Sequence, residues 1–301
     1  MAKKKSDYLL LKRKWLIKHK KLRKKLYQKH QEAFLWLNDK FPAKEQLASG
    51  AIGALMLSSV LPTSTVLGVI ADTPSEKPVV AQIDRTAELL GELTPTLPQN
   101  MRLLNADEEV KMSQILSQYF GMDVKADIGG LRLNRTYGVI GAEQHLVRFP
   151  GDGMAGHIDM NDPNYKLLYS SGMAPGRGAW GYFAKYSADL NQDAIEREKW
   201  YIAVQTFAAP DYNGRLSDYR DFFKWRKMLV VNTETGQAVV CDIADSGPAV
   251  WTGKHLGGSP EVMQSLGFAK GPRKGDVLYF FINDASDKIP LGPIKPMGLV
   301  S

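Results

Sequence analysis

Asp245 stands at the end of an apolar run, Val239-Val240-Cys241-Asp242-Ile243-Ala244, and is followed at once by Ser246-Gly247-Pro248. The run is rich in β-branched residues and reads as a buried strand that a Gly-Pro pair must end, so a carboxylate is presented at a sheet edge. A carboxylic acid donates a proton near neutral pH only if its surroundings raise its pKa from about 4 toward 6 or 7, and burial beside an apolar strand is one way to do so. The other role open to Asp245 is to accept backbone N–H groups within the turn. Strict alternation would put Asp242, three residues upstream, on the opposite face of the strand.

His145, His157, Asp159 and His255 invite a metal, and His157 and Asp159 would share one face of an extended segment. As a set they fit no metal-site spacing, so no metal and no cofactor is expected. There is no phosphate-binding loop, dinucleotide fingerprint or Gly-x-Ser-x-Gly elbow. Cys241 is the single cysteine, which excludes an intramolecular disulfide and a cysteine-based metal site and suits a small buried filler.

The elements that must hold Asp245 follow from the flanking residues. Met228-Leu229-Val230-Val231, the turn Asn232-Thr233-Glu234-Thr235-Gly236 and the run from Gln237 to Ile243 predict a β-hairpin. Ser259-Pro260-Glu261 supplies an N-cap, a first-turn proline and an acid for the dipole of a short helix ending at Leu266-Gly267. Asp276 to Ile282 reads as the last strand, and Trp200 to Phe207 alternates as another.

This order resembles the double-psi β-barrel of the rare-lipoprotein-A type lytic transglycosylases and the expansins. The matching residues are Asn232, Thr235-Gly236, Asp245, Gly247-Pro248, Ser259, Leu266-Gly267 and Gly275-Asp276-Val277, and Gly178-Ala179-Trp180-Gly181-Tyr182 loosely matches the entry to that barrel. One departure is plain: the lipoprotein family has an Asp just before the helix-starting Ser, where this chain has Gly257-Gly258. The resemblance implies a six-stranded double-psi barrel over residues 175–290 and two functions to choose between. One is cleavage of peptidoglycan glycan strands with Asp245 as general acid, which needs no second carboxylate because the sugar's own 6-hydroxyl attacks. The other is an expansin-like module that binds wall polysaccharide without turnover. Gly247, Thr252, Lys254 and His255 then fall near the groove, with His255 as a stand-in for the missing acid or simply a loop residue. Trp180, Tyr182 and Trp251 are sugar-stacking surfaces or core fillers.

The remaining chain is read from charge and hydropathy. The net charge of +7 is uneven: residues 1–46 hold 15 Lys+Arg against 4 Asp+Glu, residues 47–71 hold no charge, and residues 72–301 hold 24 against 28. A mildly acidic body argues against a nucleic-acid partner. Residues 1–46 predict a basic amphipathic helix suited to an anionic membrane surface. Residues 47–71 are long enough to cross a bilayer, as a transmembrane or signal segment. The basic flank then keeps the N-terminus in the cytoplasm and delivers the rest to the cell wall, anchored at the cell membrane or secreted if cleaved after Ala71. Residues 72–99 read as a Pro-containing linker with a short helix near Arg85 to Leu93. Residues 100–160 read as a small α+β domain opening on a helix that Asn105 and Glu108 cap and Gly121 stops.

Overall fold

The computed structural model describes residues 84–297; the basic arm, the apolar segment 47–71 and the first part of the linker lie outside the described residues. The helices are α1 Thr86–Thr96, α2 Ala106–Phe120, α3 Tyr165–Ser171, α4 Gln192–Lys199, α5 Leu216–Phe223 and α6 Pro260–Ser265. The strands are β1 Val124–Lys125, β2 Asp127–Ile128, β3 Leu131–Arg132, β4 Tyr137–Ala142, β5 Tyr201–Val204, β6 Lys227–Asn232, β7 Ala238–Ser246, β8 Leu256–Gly258, β9 Lys274–Ile282 and β10 Gly292–Ile294. No helix among the described residues is long and apolar enough to cross a membrane.

Six strands close on themselves in the order β4, β8, β5, β7, β6, β9 and back to β4. The pairs β4·β8 and β5·β7 are parallel and the other four are antiparallel, so the barrel is mixed. Alternate residues fill its interior: Ile140, Ile202, Val230, Val239, Ile243 and Phe281 belong to one buried cluster. Strands β6, β7 and β9 are buried on both faces, because Leu229, Val240 and Phe280 point outward into a second cluster with Leu89, Leu93, Met112 and Leu116 of α1 and α2. That double burial explains why these strands read as continuous apolar runs rather than alternating ones. Each such Leu or Phe contributes roughly 1.5–3 kcal/mol of transfer free energy. Cys241 is a buried member of the interior cluster.

Local signals are used as the sequence predicts. Asn105 and Glu108 form a reciprocal capping box, and Gly121 ends α2 with a positive φ of 64°. Ser259 Oγ accepts from the Val262 N–H at 3.2 Å with Pro260 in the first turn. The boundary expected between a domain at 100–160 and one at 175–290 is not a division of the folding unit. The described residues all fall in one compact unit, and β4, from the segment read as a small α+β domain, is the strand that closes the barrel between β8 and β9. Helix α2 and strand β4 bury their apolar faces against the barrel strands: Met112 and Leu116 cluster with Leu229 and Phe280, and Ile140 with Ile202 and Phe281.

Candidate functional site

Asp245 lies at an irregularity in β7. Along the parallel pair with β5, Tyr201 faces Asp242, Ile202 faces Ile243, and then Ala203 faces Asp245, so Ala244 is an extra residue in β7. Directly paired residues share a face of a sheet, and Tyr201 and Ala203 are two apart on β5. Asp242 and Asp245 therefore lie on the same outer face, contrary to strict alternation. The bulge is held from outside by residues 178–180. Ala179 N–H donates to Ala244 O at 3.1 Å, and Trp180 Nε1 donates to Ile243 O at 2.9 Å. Gly178 is required there, since a Cβ would stand 2.5 Å from Ala244 O.

Burial raises the pKa of Asp245, and the backbone N–H groups of Ser246 and Ala179 partly pull it back. Ser246 N–H donates to Asp245 Oδ1 at 2.8 Å. No Lys, Arg or His among the described residues forms an ion pair with Asp245. Asp242, by contrast, is fully buried and paired with Arg197, and burial outweighs that partner to push its pKa up to about 7.

Small residues continue the row from Asp245 across the outer face. Asp245 pairs with Ala203, Ala203 with Gly257 and Gly257 with Gly141, which crosses β7, β5, β8 and β4. The two glycines are covered by side chains from elsewhere. Glu143, just past β4, lies over Gly257, and Lys254 lies over Gly141. Lys254 Nζ donates to Ala142 O at 2.9 Å and stands 3.4 Å from Glu143 Oε1. Burial raises the pKa of Glu143, Lys254 opposes the rise, and the charge of Asp245 adds to it, so the two acids sense each other. Glu143 is the site residue that the sequence did not reveal. It belongs to no motif, and only the parallel pairing of β4 with β8, whose partners are 116 residues apart, brings it here.

The other candidates are placed as follows. Trp251 is 90 % exposed, so it packs no core, and Tyr182 is partly exposed with the Arg177 guanidinium over its ring. Trp180 packs against the interior cluster. Gly247 N–H donates to Val204 O at 2.9 Å, and Thr252 Oγ1 closes its own turn on Ala249 O at 2.7 Å. His255 Nδ1 accepts from Val139 N–H at 3.0 Å, and its ring lies against Gly138. Buried Gln205 fixes the loop that carries Trp251, donating to Pro248 O at 2.9 Å and to Lys254 O at 3.1 Å.

A second polar cluster forms where the long segment after β4 meets α4 and α6. His145 and His157 come together around the Glu198 carboxylate, whereas Asp159 is exposed and His255 is elsewhere. Glu261, from the first turn of α6, is also buried here, and burial pushes its pKa up to about 7. Tyr201 stands between the two clusters, its hydroxyl bonded to Gln144 O.

No protein-family model, no curated protein and no solved structure matches this chain. The fold and the site define a closed, mixed, six-stranded barrel with two half-buried carboxyl groups on its outer face.

Proposed function

We propose that the barrel is of the double-psi type and cleaves peptidoglycan glycan strands as a lytic transglycosylase, with Asp245 as the proton donor. The observation that carries this reading is the state of Asp245: half-buried beside an outer-face row of small residues, raised in pKa by burial, and joined to no cation among the described residues. The proton of Asp245 passes to the bridging oxygen as the bond to C1 breaks. The 6-hydroxyl of the same sugar then bonds to C1 and gives its proton back to the Asp245 carboxylate, so no water is consumed and a 1,6-anhydro end results. Lys254 holds Glu143 beside this path and offsets its charge. The expansin-like alternative, binding without turnover, is favoured by the exposed indole of Trp251, a flat surface for a sugar ring.

The reading includes export: residues 47–71 carry the barrel out of the cytoplasm, with the basic arm on the inner membrane surface. Incubating the purified protein with peptidoglycan sacculi and searching for 1,6-anhydro ends by mass spectrometry decides between the two activities. Binding without such ends supports the module, and neither binding nor cleavage sinks both. Protease added to intact protoplasts should digest residues 100–301; digestion only after lysis contradicts export.

A further inference from the structure

The cluster around Glu198 has the arrangement of a metal centre. His145 Nδ1 is 3.4 Å from Glu198 Oε1 and 3.9 Å from Glu261 Oε2, and His157 Nδ1 is 2.9 Å from Glu198 Oε2. One ligand atom from each of His145, His157 and Glu198 falls within a 4.8 Å set. A tetrahedral zinc ion with bonds near 2.0–2.2 Å separates its ligand atoms by about 3.4 Å, so small side-chain rotations suffice. Two atoms aimed into this space, His145 Nδ1 and Glu261 Oε2, are buried without any hydrogen-bond partner, and the His145 side chain is fully buried. Orphaned polar atoms of this kind cost free energy unless something fills the gap between them.

The outer nitrogens are arranged as a metal requires. His157 Nε2 is held by Asp152 Oδ2 at 2.8 Å, and Asp152 in turn binds Arg148. His145 Nε2 points at Leu168 O, 3.4 Å away. Each imidazole thus has an acceptor at Nε2 and turns Nδ1 toward Glu198: His145 Nδ1 has no hydrogen-bond partner, and His157 Nδ1 sits in a 2.9 Å hydrogen bond to Glu198 Oε2 that a bound cation would replace. Charge agrees as well. Arg148 balances Asp152, which leaves the buried Glu198 and Glu261 carboxyl groups facing the two imidazoles, and one divalent cation would neutralise the two carboxylates once both are deprotonated.

We propose that His145, His157, Glu198 and Glu261 bind one zinc ion in a closed, structural site. The four ligands come from four separate segments: the stretch after β4, the turn at Met154–His157, α4 and α6. Metal here staples the loop-rich region 143–174 to the barrel. Because Glu143 lies two residues before His145, the ion also fixes the segment that brings Glu143 over Gly257.

The test uses the full chain, stripped with a chelator and titrated with Zn²⁺ by calorimetry, with metal content measured by mass spectrometry. One ion per chain, a melting temperature that rises with added Zn²⁺, and a tetrahedral Co²⁺ visible spectrum are expected. Glu261→Gln, which keeps shape, should weaken binding by at least about 10-fold. His19→Ala with His30→Ala, which removes the histidines of the basic arm, should leave it unchanged. Absence of stoichiometric metal in the wild type, or binding lost in the arm variant and retained in Glu261→Gln, overturns the assignment. Should Glu261→Gln fail to fold, the wild-type stoichiometry and Co²⁺ spectrum still decide. None of these readouts depends on glycan cleavage.

Discussion

The side chain of Glu143 lies across the bare face of Gly257: a Cβ built on that glycine would stand 2.5 Å from Glu143 Cγ. The backbone at that place is stripped to glycine, and an acid from just past β4 occupies the space above it. Gly257→Ala should therefore leave folding nearly intact, since the clash is with a flexible side chain, and should expel Glu143 from its place beside Lys254. If the barrel cleaves glycan as proposed, cleavage should fall by about 10-fold in Gly257→Ala and in Glu143→Ala, and the double variant should be no worse than either, because both remove the same interaction. Full activity in Gly257→Ala alongside a damaged Glu143→Ala would show that the position of Glu143 does not matter.

Asp245→Asn removes the titratable proton and keeps the shape. Cleavage should drop by at least about 100-fold, with glycan binding little changed. As the proposed proton donor, Asp245 is competent only while protonated. Its rate should decline as pH rises through a pKa lying above the usual carboxylate range, because burial holds the proton on. The pH–rate profile of the wild type and the single-turnover rate of the variant check both points. Comparable rates in the two proteins would return Asp245 to a turn-making role.

How far the sequence carries the fold can be judged at particular residues. The hairpin turn at Asn232 to Gly236, the Ser259 cap and the capping box at Asn105 were legible because each signal is local: a side chain meets a backbone group a few residues away. The end of β7 before Gly247-Pro248 was legible for the same reason. The bulge at Ala244 was not, since it is imposed by the 178–180 segment docking on its carbonyl from 65 residues upstream. Nor were Glu143, Glu198 and Glu261 legible. Their environments are made by the parallel pair β4·β8 and by a loop folding back onto α4 and α6, neither of which leaves a spacing in the chain. Two of the histidines attracted notice by their type, but their partners are glutamates indistinguishable in sequence from solvated ones.

Asp242 gives a stability prediction with a defined sign. Its pKa is raised from 3.8 to about 7 in the folded protein, so between those values the native state keeps a proton that the unfolded chain has lost. The stabilisation is complete at pH below about 4 and disappears as pH climbs through about 7. Wild-type melting temperature should fall by about 5 °C between pH 5 and pH 8, and Asp242→Asn should flatten that slope. Cleavage by Asp242→Asn should stay near wild type, because Asp242 is fully buried against Arg197 even though it shares a face with Asp245. Parallel melting curves against pH in the two proteins would contradict the assignment.

Trp251 separates binding from chemistry. Its indole is 90 % exposed and its neighbour Val250 is also exposed, so truncation removes almost no buried area, and Trp251→Ala should change stability by no more than about 0.5 kcal/mol. The loop itself should keep its place, because Gln205 grips it through the carbonyls of Pro248 and Lys254 rather than through the indole. If the ring is a platform for a sugar face, its loss should weaken binding to sacculi or soluble glycan chains by about 5- to 10-fold, the value of one stacked aromatic contact. The rate at saturating substrate should hold, since no group that moves a proton is touched. That is the inverse of the pattern expected for Asp245→Asn. Pull-down on sacculi and steady-state cleavage, measured for both variants, would display the contrast. Unchanged binding by Trp251→Ala would move the platform elsewhere, with Tyr182, partly exposed beneath Arg177, as the next residue to remove.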